Sequence, residues 1–80
     1  MKVQILAFGI TKELIGKMSF DMTLKKQSNV EDLKTSLFTH YPELSKLGTI
    51  ALAINSEYAT DDQIIHEGDE IALIPPVSGG

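Results

Sequence analysis

The spacing of apolar residues changes period along this chain, and each change marks a predicted element. The opening KVQILAF is rich in β-branched and large apolar residues and stops at Gly9, which predicts a strand. TKELIG follows as a polar turn or short helical piece closing at Gly16. In KMSFDMTLK the residues alternate. Met18, Phe20, Met22 and Leu24 share one side, and Lys17, Ser19, Asp21 and Thr23 share the other. A period of two predicts a strand with one buried face, forming a β-hairpin with the first. SNVEDLKTSLFTHYPEL is the clearest helix: Val30, Leu33, Leu37 and Tyr41 recur at steps of three and four. Ser28 and Glu31 have the spacing of a capping box at its start, and Pro42 stops it. PELSKLG predicts one more short helical turn ended by Gly48.

TIALAIN is a short apolar run bounded by Gly48 and Asn55, which predicts a central strand. SEYATDDQIIHEGDE reads as a polar connection with a turn at Glu67-Gly68-Asp69. EIALIP is the last strand, halted by Pro75, which cannot donate to a sheet ladder. The order is β-β-α-β-β in one domain, with no repeat, low-complexity tract or linker.

One main helix covers one face of such a sheet. Yet three predicted strands are apolar on both faces: Ile5-Leu6-Ala7-Phe8, Ile50 to Ile54, and Ile71 to Ile74. A half-exposed sheet alternates instead. The face away from the helix is therefore expected to be apolar and to bind a partner, unless irregular segments fold over it.

Composition narrows the function. Eighty residues, 42% hydrophobic and 22% charged, suit one soluble domain. A net charge of -4 with seven scattered basic residues argues against nucleic acid and favours a basic partner or pocket. The absence of cysteine removes disulfides, thiolate metal sites and a cysteine nucleophile, and fits a reducing compartment. Gln4 interrupts the apolar opening, charged residues follow at once and no cleavage pattern appears, so MKVQILAFGI is not read as a signal sequence. No stretch is long enough to span a bilayer. The expectation is a cytoplasmic protein.

No catalytic constellation stands out. His40 and His66 lack partners at metal-ligand spacing, Asp61-Asp62 reads as a solvated loop, and HEGDE reads as a turn. There is no phosphate-binding glycine loop and no nucleophile elbow. Ser78 has no base near it in the sequence and reads as a linker residue. What remains is the ending, PPVSGG. Pro75 and Pro76 limit the freedom of a tail that follows a strand, so less entropy is lost when a partner grips it. Gly79 and Gly80 can thread a channel too narrow for any side chain. A free carboxylate becomes reactive only after activation, for example as an acyl-adenylate open to a sulfur nucleophile. With no cysteine in the chain, that sulfur has to come from outside.

GDEIALIPPVSGG resembles the C-terminal signature of the molybdopterin synthase small subunit, the MoaD family. ILAFGITKELIG is similar to the opening strand and following segment of that family, and AINSEYATDDQIIHEGDEIAL to its middle. The likeness runs through essentially the whole chain, with the helix matching in pattern more than in residues. It implies an α+β, ubiquitin-like β-grasp fold: a mixed four- or five-stranded sheet on one main helix, spanning 1–74, with a flexible tail over 75–80. It also implies a sulfur carrier. A MoeB-like, ubiquitin-activating-type enzyme uses ATP to adenylate Gly80, a sulfur donor protein supplies sulfur, and a thiocarboxylate forms. The tail (Pro75, Pro76, Val77, Ser78 and Gly79) then carries Gly80 into a MoaE-like large subunit, in a heterotetramer of two small and two large chains. There sulfur passes to precursor Z, the cyclic pyranopterin monophosphate, and the carrier itself binds no cofactor or metal. Phe8, Tyr58, Ile74 and Lys12 fall where the family meets its partners. Lys12 stands where arginine is usual, which removes a bidentate contact, and Ile74 replaces a usual phenylalanine. The alternatives are a thiamine-pathway sulfur carrier, which ordinarily lacks the Pro-Pro-Val-Ser lead-in, a ubiquitin-like protein modifier, and a plain interaction module with an idle tail.

Overall fold

The computed structural model describes residues 1–48 and 50–75. Its elements are β1 (Lys2–Ala7), α1 (Gly9–Ile15), β2 (Ser19–Thr23), α2 (Val30–His40), a 3₁₀ helix (Pro42–Leu47), β3 (Ala51–Ile54), β4 (Glu57–Tyr58) and β5 (Glu70–Ile74). The strands form one five-stranded sheet in the order β2-β1-β5-β3-β4. β1 and β5 run parallel, and every other neighbouring pair is antiparallel.

Alternation decides which side of the sheet is buried. Val3, Ile5 and Ala7 of β1, Ile71 and Leu73 of β5, and Leu52 and Ile54 of β3 point to one side and pack with Val30, Leu33 and Leu37 of α2. Ile15 of α1, Leu24, Leu44 of the 3₁₀ helix, Ile50 and Ile65 complete this core. Phe20 and Met22 of β2 pack against its margin, where Phe20 meets Tyr41 with ring centroids 5.6 Å apart. The predicted stripe of α2 thus faces the sheet, ending at the half-buried Tyr41. Truncating Leu37, which is fully buried, to alanine is expected to cost about 2–5 kcal/mol of stability in a urea titration.

Three expectations need adjusting. The capping box of α2 lies one residue later than Ser28–Glu31. The Asn29 side chain accepts from the Asp32 N–H at 2.8 Å, and the Asp32 carboxylate accepts from the Asn29 N–H at 3.0 Å. Asn29 has the extended backbone a cap needs, while the Ser28 hydroxyl donates backwards to the Lys25 carbonyl at 2.7 Å. Replacing Asn29 by alanine is expected to lower stability by about 1 kcal/mol in thermal unfolding.

Second, β1 and β2 do pair antiparallel, and the connection read as a polar turn or short helical piece is helix α1, which starts two residues earlier, at Gly9. Gly16 closes α1 in the left-handed region at φ 86°, its N–H donating to the Lys12 carbonyl at 2.8 Å. Third, the segment read as a polar connection contains β4. Asn55 and Ser56 both take positive φ, which makes a two-residue hairpin between Ile54 and Glu57. The same segment is tied to the start of α2, with the Ile65 N–H donating to the Ser28 carbonyl at 2.9 Å and Ile65 buried beneath it. The run TIALAIN is, as expected, an interior strand, β3, next to β5 in the middle of the sheet.

Candidate functional site

The other side of the sheet is the one expected to be apolar, and its register orders it into rows. Level with the start of β5 lies a polar row, Asp21-Gln4-Glu70. Next comes Ser19-Leu6-Ala72-Ala53-Tyr58, crossing all five strands. Nearest the end of β5, Ile74 pairs with Ala51. Phe8 follows β1 at the level of Ile74, since Ala7 pairs with Leu73 in the parallel ladder. None of these apolar residues of the open face belongs to the core cluster. Leu6, Ala72 and Ile74 are half-buried, Phe8 is 48% exposed and Tyr58 76% exposed. The face therefore grades from charged to apolar toward the point where the chain leaves β5.

Of the residues singled out in the sequence, Phe8 and Ile74 come together beside Pro75, which is itself half-buried. Tyr58 sits at the far edge of the middle row, on β4. Lys12 is exposed on α1, the helix that begins immediately after Phe8. Pro76, Val77, Ser78, Gly79 and Gly80 lie outside the described residues.

Two residues not singled out in the sequence shape this corner. Thr11 is completely buried, and its hydroxyl accepts from the Phe8 N–H at 3.0 Å while donating to the Phe8 carbonyl at 2.5 Å. The Thr11 N–H donates to that same carbonyl at 3.1 Å. Gly9 has φ 56°, and a Cβ placed on it would lie 3.6 Å from Cγ of Pro75. The signal was present in the spacing Phe8-x-x-Thr11: a hydroxyl at the third helical position can reach back to the N-terminal backbone. It is visible only if the helix is started at Gly9 and not at Thr11.

Several acidic and imidazole groups elsewhere have structural partners. Glu67 accepts from the Lys2 N–H with both oxygens at 3.1 Å, and Asp69 accepts from the His66 N–H at 2.8 Å, so HEGDE is a turn docked on β1. Asp61 pairs with Lys34 at 2.8 Å, and His40 Nδ1 lies 2.9 Å from the Ser36 carbonyl. Among the described residues no group of three or more His, Asp or Glu side chains could hold a metal, and no helix is long and apolar enough to cross a membrane. A hollow of about 680 Å³ lined by Met1, Lys26, Gln27, Ile64 and His66 shares no residue with the apolar face.

Comparison with known proteins is consistent with this geometry. The model of the ThiS family matches residues 5–80. A molybdopterin synthase sulfur carrier subunit of Dictyostelium discoideum is 44% identical, the match covering 96% of this chain and 94% of that protein. SAMP1 of Haloferax volcanii, a small archaeal modifier protein, superposes with a TM-score of 0.86 at 27% identity, covering all of both chains. A chain in the complex of subunits 1 and 2 of the molybdopterin-converting factor of Helicobacter pylori superposes with a TM-score of 0.70 at 27% identity, again over both full lengths. The chain belongs to the ThiS family of ubiquitin-like β-grasp proteins, alongside the molybdopterin synthase sulfur carrier subunits.

Proposed function

We propose that this protein carries sulfur on its C-terminal carboxylate for the synthesis of molybdopterin. The observation that carries the reading is full-length likeness to proteins named molybdopterin synthase sulfur carrier subunit, at up to 44% identity. The open face supports it, because its apolar rows lie where the chain departs toward Gly80. In this reading a MoeB-like activating enzyme joins the Gly80 carboxylate to the α-phosphate of ATP, releasing pyrophosphate. Hydrosulfide, released from a donor protein's persulfide by a thiol reductant that is oxidised to a disulfide, then attacks the acyl carbon, AMP leaves, and a thiocarboxylate remains. The large subunit binds the face around Phe8, Ile74 and Tyr58, receives residues 75–80 and provides the pocket in which precursor Z takes the sulfur. The small chain acts as the sulfur-donating subunit of a heteromeric synthase in the cytoplasm, with no active site of its own.

The subunit pairing in the Helicobacter pylori complex favours a large-subunit partner over an isolated module. Likeness to SAMP1 keeps a second reading in play, in which the same activated terminus is joined to lysines of other proteins. Reconstitution separates the two. Chain thiocarboxylated by its activating enzyme is expected to convert precursor Z to molybdopterin when mixed with the large subunit. Adducts on lysines of other proteins with no molybdopterin formed would replace the proposal with the modifier reading.

A further inference from the structure

We infer that Thr11 is a positioning residue, whose buried hydroxyl fixes the Phe8-Gly9 corner and through it the direction in which the chain leaves the sheet at Pro75. This rests on the proposed role of the C-terminus and adds to it a residue in the first helix. Three observations combine. One side chain, fully buried, satisfies both backbone groups of Phe8, with the hydroxyl 3.0 Å from the Phe8 nitrogen and 2.5 Å from its oxygen. The next residue, Gly9, takes a left-handed φ of 56° and lies against the ring of Pro75, since a Cβ there would come within 3.6 Å of Cγ. Phe8 itself follows β1 at the level of Ile74, so the pinned backbone also sets where its half-exposed ring emerges.

Physical chemistry makes the hydroxyl specific. Valine has the shape of threonine but can neither donate nor accept, so Thr11→Val leaves the Phe8 N–H without its partner while the Thr11 backbone bond to the carbonyl survives. The corner then loses both bonds made by the hydroxyl and keeps only the backbone one, and the wall beside Pro75 is free to shift. Serine keeps the hydroxyl and removes only a methyl group. A side chain at Gly9 disturbs the same corner from the other direction, through strain at positive φ.

Two measurements on the full chain test this. The first is the ¹⁵N spectrum, which needs no enzyme. Thr11→Val is expected to move the amide signals of Phe8 to Lys12 together with those of Leu73 and Ile74, with Thr11→Ser close to the unsubstituted chain. Changes confined to α1 would overturn the inference. The second is ATP–pyrophosphate exchange by the activating enzyme, with the chain as varied substrate. Thr11→Val and Gly9→Ala are each expected to raise KM about tenfold, through misplacement of the terminus. Thr11→Ser keeps KM within about twofold of the unsubstituted value. A residue that only stabilises the fold would lower the melting temperature and leave KM of the folded protein unchanged, and that result would also overturn the inference. If Thr11→Val does not fold, Gly9→Ala and Thr11→Ser decide it: raised KM in the first alone supports it, and equal values overturn it. Absence of exchange with the unsubstituted chain would fall on the proposed function, and the spectrum would still decide the role of Thr11.

Discussion

Deleting Gly80 is expected to abolish molybdopterin formation outright. The acyl carbon that receives AMP and then sulfur would be removed, and the new terminus at Gly79 would fall one residue short of the same position. Extended chain advances at most ~3.3–3.6 Å per residue, and reacting atoms held that far from a required near-attack separation lose most of the benefit of binding. Stability should be untouched, because the core runs from Val3 to Leu73. The check is conversion of precursor Z by the reconstituted synthase, with thermal unfolding of the same sample as control. Activity retained by the shortened chain would remove the terminus from the mechanism.

Replacing Phe8 by aspartate should produce the next largest effect, on binding of the large subunit. Phe8 stands beside Ile74 in the apolar row nearest the departure of the chain, 48% exposed. An aromatic ring in the middle of an interface commonly contributes about 2 kcal/mol or more, a factor of roughly 30 in Kd. A carboxylate placed there would also be desolvated without a partner, which adds to the loss. Isothermal titration calorimetry with the large subunit measures it directly. The free protein should lose little stability, because a side chain this exposed contributes little to the core. Undiminished affinity would move the interface elsewhere on the molecule.

Much of this arrangement was legible from residue order, for reasons that differ by element. β1, β5 and α2 were legible because each carries enough apolar residues at one period to outweigh local preference. The expectation of a two-faced sheet also held. Leu6, Ala72 and Ile74 lie on the side away from α2, outside the core cluster, beside the buried Ala53. The α2 cap was misplaced by one residue because SNVED contains two overlapping frames, Ser28-x-x-Glu31 and Asn29-x-x-Asp32, with similar chemistry. Backbone geometry chose between them: Asn29 is extended, and Ser28 is committed to the turn at Lys25. β4 escaped because Asn55-Ser56 carries no glycine, although both residues adopt positive φ. Thr11 escaped because a lone threonine in a short polar segment looks like surface. Only the three-dimensional path of β1 into α1 shows that it is buried against Phe8.

The candidate site was legible in a narrower sense. Phe8, Ile74 and Pro75 do meet at one corner, whereas Tyr58 and Lys12 reach the surface at separate places, the β4 edge and the first helix. An interface that uses all of them has to be broad, extending from α1 across the sheet. Small residues in the middle row, Ala72 and Ala53, keep that surface flat enough for another protein to approach. Residues 76–80 carry the proposed chemistry outside the described residues, so their role rests on sequence likeness and on the direction set by β5.

The most direct test is the intact mass of the chain after incubation with its activating enzyme, ATP and a sulfur donor. The account predicts a mass increased by the difference between one sulfur and one oxygen, localised by fragmentation to Gly80 and absent when ATP is omitted. An unchanged mass under conditions where the enzyme adenylates a known carrier, or attachment of the chain to lysines in place of sulfur uptake, would contradict it.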